Sequence, residues 1–218
     1  MKGFYLPGIF IIFEVVDYLK LVNTIVGTSI GGVVGSIYCL GYSGDEMVNL
    51  FMTTDFGEMI SEMRPGNFLT HGWFGDGEWF ETYLSKCIKN KTGNDDITLR
   101  NLYELCGKKL VMNTVLKPLK DRKIENMTMI MDYESHPDLS LIKAIRMTTC
   151  LPGLLKPIIY DLNGILYECY DGGALDNYMI HKYEPKDVLG IYLGTRSLEN
   201  EKDNILAGVI FNYNLIIL

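Results

Sequence analysis

An apolar run suited to a buried strand, Leu21 to Val26, passes through Gly27-Thr28-Ser29-Ile30-Gly31 straight into a small-residue segment suited to a helix, Gly32 to Leu40. A chain that must change from strand to helix within five residues needs a sharp turn. Glycines two before and two after Ser29 leave room for that turn and for close helix packing. The turn lifts the Ser29 hydroxyl above the sheet edge, which makes it the candidate nucleophile. A glycine-rich turn that merely opens a helix is the bland reading of the same string.

The rest of the chain fits one α/β domain over 1–218, with no repeat, low-complexity tract or linker to divide it. Hydrophobic periodicity predicts helices over Pro7 to Lys20, Ser43 to Met52, Asp76 to Lys89, Thr98 to Cys106 and Leu139 to Met147. Apolar runs predict strands over Leu21 to Val26, Lys109 to Val115, Met127 to Met131 and Val188 to Leu193. Alternation of the two argues for a mostly parallel sheet covered on both faces. Trp73, Phe74, Trp79, Phe80 and Tyr83 cluster around glycines, and the spacing of Trp79, Phe80 and Tyr83 is that of residues that pack a helix on the core, with a mobile interfacial segment as the other reading.

Net charge is −7, and the only basic cluster is Lys117, Lys120, Arg122 and Lys123 around Asp121, so nucleic acid is not an expected partner. Five cysteines without C-x-x-C spacing indicate neither a disulfide framework nor a zinc site and favour a reducing, cytoplasmic setting. No His/Cys/Asp set has metal-ligand spacing, and neither metal nor cofactor is expected. Met1-Lys2 followed by Phe4 to Phe13 resembles a signal peptide until Glu14 and Asp17 interrupt it. Ile205 to Leu218 is too short to span a bilayer and reads as core strand or helix.

A second informative site lies downstream. Pro157 to Leu162 and Ile165 to Tyr170 flank Asn163-Gly164, a strong hairpin signal, and the second arm runs into Asp171-Gly172-Gly173. A carboxylate at such a strand end is held stiffly enough to serve as a base for a serine, and the glycines let the backbone turn without bulk. Taken alone, Asp-Gly-Gly is also a common turn.

Three segments in order, Gly27 to Gly31, Ala144-Ile145-Arg146-Met147-Thr148-Thr149-Cys150-Leu151-Pro152-Gly153, and Asp171-Gly172-Gly173-Ala174-Leu175-Asp176-Asn177, resemble the patatin-like phospholipase family. The resemblance implies a three-layer α/β/α sandwich that hydrolyses lipid acyl esters through a serine and aspartate dyad, here Ser29 and Asp171. It implies a phospholipase A or lysophospholipase type of activity, a lipid or phospholipid substrate, and a protein peripheral to membranes. The backbone N–H of Ile30 is a candidate oxyanion donor.

Family members open with a strand and a turn of the form G-G-G-x-[RK]-G, of which only Met1-Lys2-Gly3 is present. Gly3 and Lys2 are carried over as matches to that turn. The expectation is of an N-terminally truncated chain with its true start upstream. Two other readings stand beside the hydrolase: a non-catalytic remnant of the fold, and a Ser-His-Asp esterase in which His181 joins Ser29 and Asp171. His71 and His136 lie in loop-like contexts.

Overall fold

The computed structural model describes residues 5–120, 125–191 and 215–217. Helix α1 (Tyr5–Val15) leads to strand β1 (Thr24–Gly27) and helix α2 (Ile30–Cys39). Five helices then precede β2 (Lys109–Pro118): α3 (Gly44–Thr53), α4 (Phe56–Ser61), α5 (Pro65–His71), α6 (Glu78–Thr92) and α7 (Leu99–Cys106). After them come β3 (Met127–Met131), α8 (Leu141–Thr148), the hairpin β4 (Ile158–Leu162) and β5 (Ile165–Asp171), β6 (Val188–Gly190) and β7 (Leu215–Ile217).

The strand order is β4-β5-β2-β1-β7-β6, with β3 also paired to β2. The α/β class holds, and the sheet within it is mixed. β1, β2, β6 and β7 pair in parallel, while β3, β4 and β5 run antiparallel to their neighbours. The Asn163-Gly164 turn dictates the antiparallel pairing of β4 with β5, because a two-residue loop can only return a strand alongside itself. Alternate residues of β1 and β2 face opposite ways, and both sets are buried. Ile25, Leu110 and Met112 join the main core with α2 and α8, whereas Val26 and Val111 pack with Met179 and Val188. Burial on both faces is why these strands read as continuous apolar runs.

The sheet brings two strand ends together. β1 climbs β2 as far as Gly27 opposite Met112, and β5 descends it as far as Asp171 opposite Thr114. Only Asn113 lies between the two positions. A turn after β1 and a turn after β5 therefore meet at one place.

Several boundaries differ from the sequence reading. The helix expected to Lys20 stops at Val15, since Asp17 takes a left-handed φ of 55° and Tyr18–Lys20 forms a 3-10 turn. The Lys108 ammonium binds the Leu19 and Val22 carbonyls there, which delays β1 until Thr24. Gly77, at φ 83°, moves the start of α6 to Glu78. β2 runs on to Pro118 because β5 pairs with its last five residues. α4 and α5 were not anticipated, and neither contains a buried residue, so neither carries the apolar stripe that marks a helix.

Of the expected strand Val188 to Leu193, Val188–Gly190 is β6. Leu215–Ile217 within the terminal apolar run is strand β7. The rest of that run, together with Lys2, Gly3, Arg122 and Lys123, lies outside the described residues. No helix among the described residues is long and apolar enough to cross a membrane.

Candidate active site

Ser29 sits at the junction of β1 and α2 with φ 54° and ψ −119°, a conformation that a non-glycine residue adopts at a cost of about 1–3 kcal/mol. The surroundings hold it there. Its N–H donates to Thr148 Oγ1 at 3.0 Å, and its carbonyl accepts the Val33 N–H at 3.2 Å. Gly27 lies against the first turn of α2, so closely that a Cβ would fall 2.5 Å from Gly31 and Gly32 backbone atoms. Any side chain at Gly27 would force the turn open.

The Ser29 hydroxyl donates to Asp171 Oδ2 at 2.5 Å. Asp171 is buried, its second oxygen accepts the Gly173 N–H at 2.8 Å, and its own N–H donates to the Cys150 carbonyl at 2.8 Å. Burial pushes its carboxyl above the usual aspartate value, while the hydrogen bonds from Ser29 and Gly173 pull it partly back. Crowding demands the first of the two glycines after it and disfavours a side chain at the second. A Cβ on Gly172 would lie 2.3 Å from Asn113 Oδ1, and one on Gly173 would lie 2.6 Å from Asn177 Oδ1.

Sequence reasoning missed three residues that bind these turns together. Asn113 accepts the Thr28 hydroxyl at 2.9 Å and donates to the Asp176 carbonyl at 2.8 Å, so it ties the turn after β1 to the turn after β5. Thr114 donates within reach of the Met147 and Tyr170 carbonyls, at 3.0 Å and 2.7 Å. Thr148 is the acceptor already described. The first two leave a readable trace, a polar Asn-Thr pair inside the apolar run from Leu110 to Leu116.

The histidines lie elsewhere. His181 Nε2 is 3.5 Å from Asp176 and its side chain is mostly exposed, while the carboxylate that Ser29 meets is that of Asp171. His71 stacks on Trp73, and His136 contacts Ser135. No group of three or more His, Cys, Asp or Glu among the described residues could hold a metal ion.

Ser29, Thr28 and Ile30 open onto a cavity of about 710 Å³, within the size range of small-ligand sites. Its walls are largely apolar, formed by Val33, Phe51, Phe56, Met59, Trp79 and Leu154 among others. Phe80 and Tyr83 thus pack α6 on the core as expected, whereas Trp79 stacks on Tyr83 at 5.4 Å, and all three face this space. Trp73 and Phe74 lie outside its lining, with Phe74 stacked on Phe68 at 4.7 Å and its N–H bound to the Gly153 carbonyl. Ile30 itself is 41% exposed beside the serine.

Comparison with known proteins gives the family. A family model described as patatin-like phospholipase matches residues 3–182. An uncharacterized protein of Acanthamoeba polyphaga mimivirus is 26% identical over 189 residues, covering 84% of this chain and 57% of that protein. A protein of Invertebrate iridescent virus 6 named "Probable lipid hydrolase" is 23% identical over 188 residues, covering 83% of this chain and 59% of its own length. The chain thus spans somewhat over half the length of these relatives. The crystal structure of VipD from Legionella pneumophila superposes with a TM-score of 0.53 at 15% identity, over 81% of this chain and 44% of VipD, a likeness of fold. With a family match running from the strand before Ser29 to beyond Asp171, the chain belongs to the patatin-like phospholipase family.

Proposed function

We propose that this chain hydrolyses acyl esters of lipids through a Ser29 and Asp171 dyad, as a single catalytic domain. The observation that carries the reading is the 2.5 Å contact between Ser29 Oγ and Asp171 Oδ2 at the edge of an apolar cavity. The acyl chain occupies the cavity, and the headgroup side of the ester faces out. As Ser29 Oγ bonds to the ester carbonyl carbon, its proton passes to Asp171, leaving a tetrahedral oxyanion. The free N–H at the start of α2, that of Ile30, is the candidate donor to that oxygen. Collapse breaks the bond to the leaving alcohol, which takes the proton from Asp171. Water then attacks acyl-Ser29, gives its proton to Asp171, and the proton returns to Ser29 as the acid leaves.

A carboxylate is a weak base toward an alcohol, so the transfer must accompany attack. Burial helps, because it raises the proton affinity of Asp171 toward what the step needs. A short hydrogen bond already in place also removes the entropic cost of aligning base and nucleophile.

The test is reaction with a serine-directed fluorophosphonate and turnover of nitrophenyl and phospholipid esters. Labelling at Ser29 with turnover supports the hydrolase. A folded chain that is neither labelled nor active would be a non-catalytic member of the family.

A further inference from the structure

The proposed chemistry leaves one buried cation on α8 without a task. Arg146 is 1% exposed, and its Nε donates to Glu81 Oε1 at 3.0 Å. Its Nη2 donates to the Asp76 carbonyl at 3.1 Å and to the Lys156 carbonyl at 3.2 Å, while Nη1 is buried with no hydrogen-bond partner. Gly77, at φ 83°, presses against the group, and a Cβ there would fall 2.6 Å from Arg146 Cζ and Nη2.

Stability alone does not explain an arginine here. Burying a guanidinium costs several kcal/mol, and an apolar residue of like volume is often as stable or more so. What methionine or leucine cannot do is grip three separate pieces of chain from one point. The forked, planar donor set of arginine can.

Each piece that it grips is a wall of the cavity beside Ser29. The 76–77 turn contributes Gly77, α6 contributes Phe80 one residue before Glu81, and the segment ending at Lys156 contributes Leu154 and Leu155. Farther along the same helix, Thr148 holds the Ser29 N–H, and the next residue, Thr149, lines the cavity. One side chain thus links the frame of the nucleophile to three parts of the cavity wall. We infer that Arg146 is a positioning residue that fixes the cavity wall relative to Ser29 and so sets the affinity for the acyl chain.

The inference rests on the acyl reading of the cavity given above, and the test separates the two. The full chain and the variants Arg146→Lys, Gly77→Ala and Glu81→Gln are compared after circular dichroism confirms folding. Two quantities are read: affinity for a fluorescent long-chain fatty acid, and the rate at which a small fluorophosphonate labels Ser29. Lysine keeps the charge but gathers its donors on one atom, without the fork that spans the three partners, and alanine at Gly77 pushes the guanidinium from the other side. Both are expected to weaken fatty-acid binding about tenfold, with a loss in labelling rate at least about fivefold smaller, because misplaced walls cost binding while the dyad stays in place. Glu81→Gln, on a half-exposed partner, moves binding the same way by about threefold, and it carries the comparison should Arg146→Lys not fold.

Unchanged fatty-acid affinity in the folded variants overturns the inference, as does a parallel fall in labelling, which would place the effect on Ser29 itself. A wild-type chain that binds no fatty acid overturns it as well. A wild-type chain that binds fatty acid yet is not labelled defeats the hydrolase reading, and the variants' binding alone then decides the role of Arg146.

Discussion

Ser29 holds a left-handed φ that its side chain disfavours, so something nearby must stabilise the turn, and the most direct restraint is the bond from its N–H to Thr148. Thr148→Val keeps the shape and removes the acceptor. We expect a loss of about 1–3 kcal/mol in urea unfolding, the cost of a buried donor left unpaired, together with slower labelling of Ser29. Asp171 carries the opposite kind of strain. Burial raises its proton affinity in the folded state, so its contribution favours the folded chain at low pH and is lost as pH rises through the folded-state value. Asp171→Asn should therefore abolish turnover while leaving the melting temperature at neutral pH equal to or above that of the wild type. The same shift predicts that turnover falls on the acid side at a pH above the ordinary aspartate value, read from kcat/KM against pH. His181→Ala, whose ring pairs with Asp176 and not with Asp171, should leave turnover nearly unchanged.

At the scale of elements, α5 and the loop at 150–155 form one surface next to the cavity. The Phe74 N–H binds the Gly153 carbonyl, the Gly75 N–H binds that of Leu154, and Phe68 lies over Gly153. From this surface Leu69 projects at 87% exposure, with Phe68, Leu151 and Leu154 also solvent-facing. If a lipid surface delivers substrate, it meets these residues and not Trp73 and Phe74, which are half-buried and tied to their neighbours. Leu69→Asp is expected to weaken cosedimentation with phosphatidylcholine vesicles several-fold and leave the melting temperature within about 1 °C, as is usual for exposed positions. Phe74→Ala should do the reverse, lowering the melting temperature with little change in vesicle binding. These elements were hard to read in the sequence because a helix without a buried face has no apolar period, whereas the capped α7 and the Asn163-Gly164 hairpin carry their signals locally.

Across the whole molecule, what was legible was what short stretches encode. Gly27 to Gly31 and Asp171 to Gly173 stand out because tight turns demand glycine within a few residues of the functional side chain. Of the residues that join them, Asn113 shows only as a polar position in an apolar run and Thr148 not at all, since their roles arise only when segments 85 and 119 residues apart are brought together, as for Asn113 with Thr28 and Thr148 with Ser29. The mixed pairing on β2 is what performs that assembly, by ending β1 and β5 on either side of Asn113. On the function proposed above, this convergence makes Ser29 a nucleophile served by Asp171 across 142 residues of sequence. The most direct measurement is ester turnover and fluorophosphonate labelling, with the modified residue mapped by mass spectrometry, in the wild type, Ser29→Ala and Asp171→Asn. A label on Ser29 in the wild type, with turnover lost in both variants and the fold intact, is the expected result, and turnover that survives Ser29→Ala would overturn the assignment of the nucleophile.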